Sequence, residues 1–444
     1  MKGPSLKERA DSAPPVTQIE PGIEPTERFI AMEWARLNSV RCRYDHGIGR
    51  WFQFDDVHWK EDKTRAVFHS IAELANRIGR GSKATGKAGT VRGIEAFAQA
   101  DPRVAVTHEI WDANPMLLGT PAGTVDLKTG KLRVSKAEEY LTRQASVAPR
   151  HGRPELWLRF LNEATGGDAE LIRFLQQVLG YALTGDTREH ALFFVYGSGK
   201  NGKSVFLNTA ARIMGNYAST AAMETFAASR SDRHPTELAR LDGARLVSAS
   251  ETEEGRAWAE ARIKQLTGGD PIAARFMRGD FFEFTPKFKL IIVGNHQPSL
   301  HNVDPATRRR FNIIPFTHTP ANPDPLLERK LEAEHGMILN WMIEGCRDWL
   351  ANGLTRPSAV SAATEDYFES QDVLGQWIAE RCVTGKNEWE QPTILFRDWS
   401  EYARASGEDA GTNKSFGSKL EKRGFRAGRR PGGIRCRQGI SLQR

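Results

Sequence analysis

The stretch GSGKNGKS at residues 197–204 constrains the fold of this chain more than any other segment. Its spacing fits G-x-x-x-x-G-K-[ST], in which backbone N–H groups turn toward phosphates, a lysine adds charge and a hydroxyl can ligate Mg²⁺. The apolar run ALFFVY before it predicts a buried strand, and apolar residues at helical spacing from Val205 to Met214 predict a helix whose N-terminus faces the anion. We therefore expect ATP to be bound by the loop residues Gly197, Ser198, Gly199, Lys200, Asn201, Gly202, Lys203 and Ser204.

A loop of this kind requires a second strand that ends in a carboxylate, which supports Mg²⁺ and activates the attacking water. The segment ARLVSASETEE at residues 244–254 predicts such a strand, with Glu251 at its polar end and Glu253 two residues later. Either glutamate is a candidate for the catalytic carboxylate, and Ser204 with Glu251 is the expected metal-binding pair. The competing interpretation is a solvated acidic loop.

A third strand and a basic run complete the expected chemistry. FKLIIVGN at residues 288–295 predicts a buried strand ending in Asn295, whose amide could sense the γ-phosphate, although asparagine at a strand end is often only a turn residue. Arg308, Arg309 and Arg310 precede a further apolar strand. One of them could stabilise the transition state in a neighbouring subunit, or the run could be a basic surface.

Between the second and third strands, the sequence predicts a β-hairpin that turns at Gly279 and Asp280. Arg275, Arg278 and Phe281 would then lie near its tip. Cations beside an aromatic ring suit phosphate contact and base stacking. We expect DNA contacts here and at Lys264 just upstream, while a purely structural hairpin is the other interpretation.

The net charge of +7 and the pI near 9.2 favour a polyanionic partner, and the charge is concentrated at the C-terminus. Residues 414–444 contain ten Lys or Arg and one acid, Glu421. Two helical segments followed by the ribbon FRAGRR-PGG-IRCRQGISL predict a winged helix. Its expected DNA contacts, which could instead form a solvated charged face, are Lys414, Lys419, Arg429 and Arg430.

Composition argues against several other classes of protein. The four cysteines lie far apart without zinc-ligand spacing, which indicates reduced thiols rather than disulfides or a zinc site. No apolar run reaches the roughly 18 residues of a membrane span, and the first residues lack the apolar segment of a signal peptide. We expect a soluble, cytoplasmic protein without membrane contact.

The motif order resembles that of superfamily 3 helicases of the phage, plasmid and poxvirus primase-helicase type. The resemblance covers roughly residues 30–440 and includes NPMLLGTPAGTVDLKTGKL and YLTRQASVAP ahead of the glycine loop. It implies an AAA+-like homo-hexameric ring that moves on single-stranded DNA, with the hairpin facing the channel. It also implies that Lys203 binds phosphate, Ser204 binds Mg²⁺ and Glu251 positions the attacking water. Asn295 would sense the γ-phosphate, and one of Arg308 to Arg310 would act on the site of a neighbouring subunit.

Two departures from that family's pattern limit the functional prediction. Ser250 precedes Glu251 where many such enzymes place a first acid, which leaves open whether Glu251 or Glu253 does the main work. Only about 150 residues precede the predicted core, and they contain no D-x-D pair in an apolar strand, so we do not expect priming and allow for a separate primase. A helicase acting on single-stranded and forked DNA is therefore predicted. The alternative is a DNA-binding initiator or regulator whose ATPase drives ring assembly without unwinding.

The predicted fold class is α/β, with a P-loop AAA+-like core between an N-terminal α+β domain and a C-terminal winged helix. The expected boundaries are a disordered leader at 1–28, the N-terminal domain at 29–150, a helical collar at 151–189, the ATPase core at 190–320, a helical connector at 321–383 and the winged helix at 384–444.

Overall fold

The computed structural model describes residues 25–228, 236–250, 257–276, 280–300, 304–320, 322–407 and 409–443. It shows a mixed α/β protein with a parallel sheet at its centre, as the sequence predicted. Most of the predicted leader lies outside the described residues, and so do three predicted site residues, Glu251, Glu253 and Arg278.

The N-terminal part packs three helices on a small sheet with strand order β3-β2-β1-β4. Helix α1 begins after Thr26, whose side chain accepts a hydrogen bond from the Phe29 N–H, and it buries Ile30 and Trp34. The elements are α1 (Glu27–Asn38), β1 (Cys42–Asp45), β2 (Arg50–Phe54), β3 (Trp59–Glu61), α2 (Ala66–Ile78), α3 (Ala88–Gln99) and β4 (Ala105–Val106).

A second small sheet joins the N-terminal part to the centre of the molecule. Its antiparallel strands are β5 (Leu117–Thr120), β6 (Gly123–Asp126) and β7 (Lys131–Arg133). Gly130 lies in the turn between β6 and β7 and adopts a φ of 73°, which favours glycine. Leu118 and Val125 belong to the same hydrophobic cluster as the two helices that follow, α4 (Glu155–Ala164) and α5 (Ala169–Ala182).

The central sheet has five parallel strands in the order β14-β8-β13-β10-β9. Successive residues of β8 enter opposite cores: Phe193 packs in one hydrophobic cluster and Phe194 in the other. The continuous apolar runs are thus explained by burial on both faces. The elements are β8 (Leu192–Tyr196), α6 (Lys203–Met214), β9 (Ala218–Thr220), α7 (Thr236–Ala239), β10 (Leu246–Ser250), α8 (Glu260–Gly268), β11 (Ile272–Arg275), β12 (Phe281–Phe284), β13 (Lys289–Gly294), α9 (Pro305–Arg310) and β14 (Phe311–Pro315).

Two buried cations fix one edge of this sheet to the preceding elements. Arg245, just before β10, donates to the carbonyl oxygens of Leu183 at 2.7 Å and Leu117 at 2.8 Å. Lys289, the first residue of β13, donates to the carbonyl oxygens of Thr184 and, at 3.0 Å, Asp186. Burial holds the pKa of Lys289 well below its usual value. Both cations therefore depend on carbonyl groups outside the central sheet.

The C-terminal part has its own hydrophobic cluster, formed by two helices against a three-stranded sheet of order β15-β17-β16. Leu374 and Trp377 of the preceding helix α13 also belong to this cluster, although they lie before the predicted boundary at 384. The elements are α10 (Leu327–Leu331), α11 (His335–Asn352), α12 (Ser358–Gln371), α13 (Val373–Arg381), β15 (Cys382–Glu390), α14 (Pro392–Ala405), α15 (Asn413–Lys422), β16 (Ala427–Arg429) and β17 (Arg435–Leu442).

Among the described residues, the structure contains no helix with the length and apolar character needed to span a bilayer.

Candidate functional site

The glycine loop connects β8 to α6, in the order that the sequence predicted. Two of its glycines are required by close packing. A Cβ on Gly197 would lie 1.9 Å from the Phe316 carbonyl oxygen, and one on Gly202 would lie 2.5 Å from the Phe160 ring. Gly202 also has a φ of 85°, which a larger residue adopts at a cost. A Cβ on Gly199 would instead meet open space.

The loop presents unused backbone donors. Within the part of the chain that the structure describes, no backbone N–H of residues 198–205 donates a hydrogen bond. Such groups at a helix N-terminus are satisfied by solvent or by a ligand, and together they favour an anion.

Lys203 is buried in the loop rather than extended into solvent. It is 7% exposed, and its Nζ donates to the Gly197 carbonyl oxygen at 2.7 Å and to Asn201 Oδ1 at 2.8 Å. The Asn201 amide nitrogen donates to the carbonyl oxygen of Phe316. Burial lowers the pKa of Lys203. Phosphate oxygens would restore the charge stabilisation that burial removes.

A cavity of about 590 Å³ lies over the loop. Its wall includes Gly199 to Ser204 together with Asn295, so the structure brings two separately predicted groups into one site. Ser204 and Asn295 are both exposed. Sequence reasoning missed the rest of the polar wall, which consists of Arg159 and Glu163 from α4 and Asn322 and Asp324 after β14.

The apolar wall of the cavity was also missed. Phe160 and Leu156 come from α4, and Leu327 comes from α10. These residues carry no chemical signal in the sequence, because an aromatic residue on an amphipathic helix is read as core. Phe160 is indeed 7% exposed, but its ring packs on Gly202.

For Mg²⁺, the described residues supply the Ser204 hydroxyl at the cavity wall. Within the described ranges, no group of three or more His, Cys, Asp or Glu is placed to bind a metal ion. A hydroxyl beside unused N–H groups is the arrangement in which phosphate-binding loops hold Mg²⁺, with most ligands supplied by phosphates and water.

The three arginines of α9 have different environments. Arg308 donates to Glu365 at 2.6 Å and lies over the Phe368 ring at 5.1 Å. Arg310 is 9% exposed and donates to the Ala306 carbonyl oxygen. Arg309 is exposed, and no hydrogen bond or ion pair joins it to another described residue.

These arginines lie far from the glycine loop of the same chain. Strands β14 and β8 are parallel, with Phe311 opposite Leu192 and Pro315 opposite Tyr196. The arginines precede β14 and the loop follows β8, so the two groups lie at opposite edges of the sheet. A five-residue strand separates them by roughly 15 Å.

The predicted hairpin is present as the antiparallel pair of β11 and β12. The Arg275 guanidinium lies 4.9 Å from the centre of the Phe281 ring, and Phe281 is 62% exposed. Phe276 is 53% exposed and stacks on Phe282. Exposed aromatic rings beside a cation are therefore concentrated at this end of the hairpin.

Lys264, predicted to contact DNA, pairs in the structure with Asp304, the residue that caps the N-terminus of α9. Burial opposes ionisation of Asp304, but hydrogen bonds from Lys264 and Thr307 outweigh it and lower the pKa of Asp304 to about 2. This ion pair links α8 to the helix that carries the arginines.

The C-terminal cations predicted to contact DNA lie on one helix and one strand end. Lys414 and Lys419 are exposed on α15, and Arg429 and Arg430 are exposed at the end of β16. Arg430 lies 5.0 Å from the centre of the Trp389 ring. Arg437, by contrast, is nearly buried and donates to the Phe425 carbonyl oxygen.

Comparison with known families gives two matches. Residues 31–166 match a family described as D5 N terminal like, and residues 195–310 match a family of unknown function. The first match includes NPMLLGTPAGTVDLKTGKL and YLTRQASVAP, the two segments ahead of the glycine loop that take part in the family resemblance.

The chain is also similar to proteins of large DNA viruses. It is 25% identical over 52% of its length to a "Putative helicase" of Acanthamoeba polyphaga mimivirus and 26% identical over 51% to a "Putative helicase" of Frog virus 3. A "Putative primase" of African swine fever virus is 23% identical over 61% of this chain. The matched region spans 27%, 26% and 31% of these relatives, respectively, or about a quarter to a third of their length.

Among solved structures, the C-terminal region of NrS-1, residues 305–718, has a similar fold. The TM-score is 0.56, at 10% sequence identity, and the match covers 94% of this chain and all of that one. The likeness concerns the fold alone.

Proposed function

We propose that this chain, which is of the phage and viral primase-helicase type, hydrolyses ATP with Mg²⁺ and uses the energy to move along DNA during replication. The observation that carries the proposal is the cavity over the glycine loop. It combines the backbone donors of the loop and a buried lysine with Ser204 and the strand-end Asn295. That combination suits a triphosphate.

The roles of the described residues follow from this geometry. The loop N–H groups and Lys203 would bind the β- and γ-phosphates. Lys203 would then replace its hydrogen bonds to Gly197 and Asn201 with contacts to phosphate oxygens. Ser204 would hold Mg²⁺, which neutralises charge on the phosphates. Asn295 would contact the γ-phosphate or its attacking water. The carboxylate that activates water is proposed at Glu251 or Glu253, outside the described residues.

We propose a homo-hexameric ring because the arginines cannot serve the site of their own chain. They lie at the sheet edge opposite the glycine loop, and Arg309 is exposed. An arginine at that place could enter a neighbour's cavity and stabilise the transition state there. This arrangement supports an AAA+-like P-loop core at 190–320.

The proposal assigns DNA contacts to two surfaces. The hairpin residues Arg275 and Phe281, with Arg278, would contact single-stranded DNA in the channel. The C-terminal part, proposed as a winged helix from about 384, would bind the duplex or fork. The named relatives are called "Putative helicase" and "Putative primase", and we assign this chain the helicase role.

Paired assays of ATP hydrolysis and strand displacement on a forked DNA test the proposal. Wild-type protein is expected to show both activities, and Lys203→Ala is expected to lose both while it stays folded. Its thermal unfolding midpoint should fall, because the buried Asn201 oxygen loses its donor. Lys83→Ala, which removes a lysine from an exposed position of the N-terminal part, serves as the control.

The assays separate the possible outcomes. Wild-type hydrolysis by Lys203→Ala would contradict the site. Hydrolysis that DNA stimulates without any strand displacement would favour the initiator or regulator over the helicase.

A further inference from the structure

Asn201 occupies an unusual position within the glycine loop. It is 2% exposed, whereas Ser198, Gly199 and Lys200 before it are exposed. A buried amide is normally hydrogen-bonded at both ends, and this one is. Its nitrogen donates to the Phe316 carbonyl oxygen, and its oxygen accepts from Lys203 Nζ at 2.8 Å.

The Phe316 carbonyl is a rigid attachment point. The Phe316 N–H donates to the Tyr196 carbonyl oxygen at 2.8 Å, which extends the pairing of β14 with β8 by one residue. The Phe316 side chain is fully buried, and its ring packs 5.7 Å from Phe206 of α6. Asn201 is therefore tied to the central sheet rather than to another part of the loop.

Gly197 provides the space for this bond. A Cβ at Gly197 would lie 1.9 Å from the Phe316 carbonyl oxygen and 2.2 Å from the Asn201 amide nitrogen. The first glycine of the motif is thus required where the asparagine amide meets the sheet.

We propose that Asn201 is a positioning residue that preorganises the phosphate site before nucleotide binds. It holds the Lys203 ammonium at the cavity wall and fixes the loop to β14. The inference rests on the proposed function, because it assumes that Lys203 binds phosphate. Once phosphate is bound, Lys203 contacts the ligand, so Asn201 affects the binding of ATP more than its hydrolysis.

Three variants test this role through separate measurements of KM and kcat and through the Kd of a fluorescent ATP analogue. Asn201→Ala removes both hydrogen bonds and is expected to raise KM and Kd about tenfold, with kcat changed less than about threefold. Asn201→Asp keeps the volume but places a carboxylate against Lys203 and the incoming phosphates. It is expected to raise Kd about a hundredfold, because the lysine is then held by opposite charge.

The control is Asn208→Asp, the same chemical change on α6 at an exposed asparagine that contacts Glu328. It is expected to leave KM and kcat unchanged. Thermal unfolding midpoints show whether each variant is folded, and Asn201→Asp stays informative if the alanine variant is not.

The inference is overturned if Asn201→Ala lowers kcat at unchanged KM, or if the alanine and aspartate variants weaken binding equally. Its failure is distinct from that of the proposed function. If the Asn201 variants and Lys203→Ala all bind ATP with the wild-type Kd, the proposed ATP site is wrong. If the Asn201 variants bind with the wild-type Kd but Lys203→Ala does not, only the positioning role is wrong.

Discussion

Arg309 differs from its two neighbours in what it contacts. Arg308 is engaged by Glu365 and Phe368, and Arg310 is buried. Arg309 alone of the three is exposed, without a hydrogen bond or ion pair to any residue in the described ranges. Arg309 is therefore the residue that we propose as the arginine acting on a neighbouring subunit.

We expect Arg309→Ala to bind ATP but to lose about 10³-fold or more of its hydrolysis rate, as removal of such an arginine does elsewhere. Mixing it with Lys203→Ala should restore part of the activity, because a site between two subunits can combine the intact half of each. Steady-state hydrolysis across a series of mixing ratios measures this.

Arg308→Ala is the matched control for that experiment. It should retain hydrolysis and lose at most about 1 kcal/mol of stability, since its ion pair is partly exposed. Failure of every mixture of Arg309→Ala with Lys203→Ala to recover activity would argue against the trans assignment.

For single residues, sequence reasoning identified those that belong to a recognisable motif and missed those that the fold brings to the cavity. Lys203 and Asn295 were predicted separately and line one cavity. Arg159 and Glu163 were not, because a cation and an acid four residues apart on a helix resemble an ordinary surface pair. The ion pair of Lys264 with Asp304 joins residues 40 apart in the chain, which no local pattern encodes.

The hairpin of β11 and β12 exposes aromatic rings that a structural element would bury. Phe276 and Phe281 are more than half exposed, and Arg275 lies over Phe281. A side chain of this kind in solvent indicates a contact surface. We therefore propose that this hairpin couples ATP hydrolysis to movement on DNA.

We expect the double variant Arg275→Ala with Phe281→Ala to reduce strand displacement at least about tenfold, because it removes both a phosphate-binding cation and base stacking worth about 1–3 kcal/mol. Basal hydrolysis without DNA should change little. Strand displacement and hydrolysis are measured on the same preparation.

Arg77→Ala, which removes an exposed arginine from α2, controls for loss of charge alone. Equal losses of basal hydrolysis and strand displacement in the hairpin variant would mean that the hairpin is structural.

The elements themselves were predictable where the apolar period was strong. Helix α6 and the central strands β8, β10 and β13 appear where the sequence placed them, and α4 and α5 lie within the predicted helical collar. Strand β15 was missed because CVTGKNEWE combines a glycine with polar residues, as a loop does, and its pairing with β17 is irregular between Thr384 and Trp389. Strand order in the central sheet depends on long-range pairing and was not accessible from local patterns.

For the molecule as a whole, we expect the distribution of positive charge to determine where DNA binds. The combined variant Lys414→Gln, Lys419→Gln, Arg429→Gln and Arg430→Gln should weaken binding to forked DNA and flatten its salt dependence. For every phosphate that the variant no longer neutralises, the slope of log K against log salt on duplex DNA should become shallower by about 0.9. Fluorescence anisotropy across a salt series measures this.

A second combined variant, with Arg77, Lys83, Lys87 and Arg92 each replaced by Gln, makes the same change in net charge at exposed positions of the N-terminal part. It should leave the slope unchanged. If the C-terminal variant behaves like this control, its cations form a solvated face and the DNA contacts belong to the hairpin.

The buried cations Arg245 and Lys289 limit where a stable recombinant fragment of this chain can begin. Arg245 needs the carbonyl groups of Leu117 and Leu183, and Lys289 needs those of Thr184 and Asp186. A recombinant fragment that starts at 190 would lack all four of these carbonyl acceptors, and it would expose the central-sheet residues that pack in one hydrophobic cluster with α5. The smallest stable motor fragment therefore begins before Leu117, and expression trials should place its first residue ahead of β5.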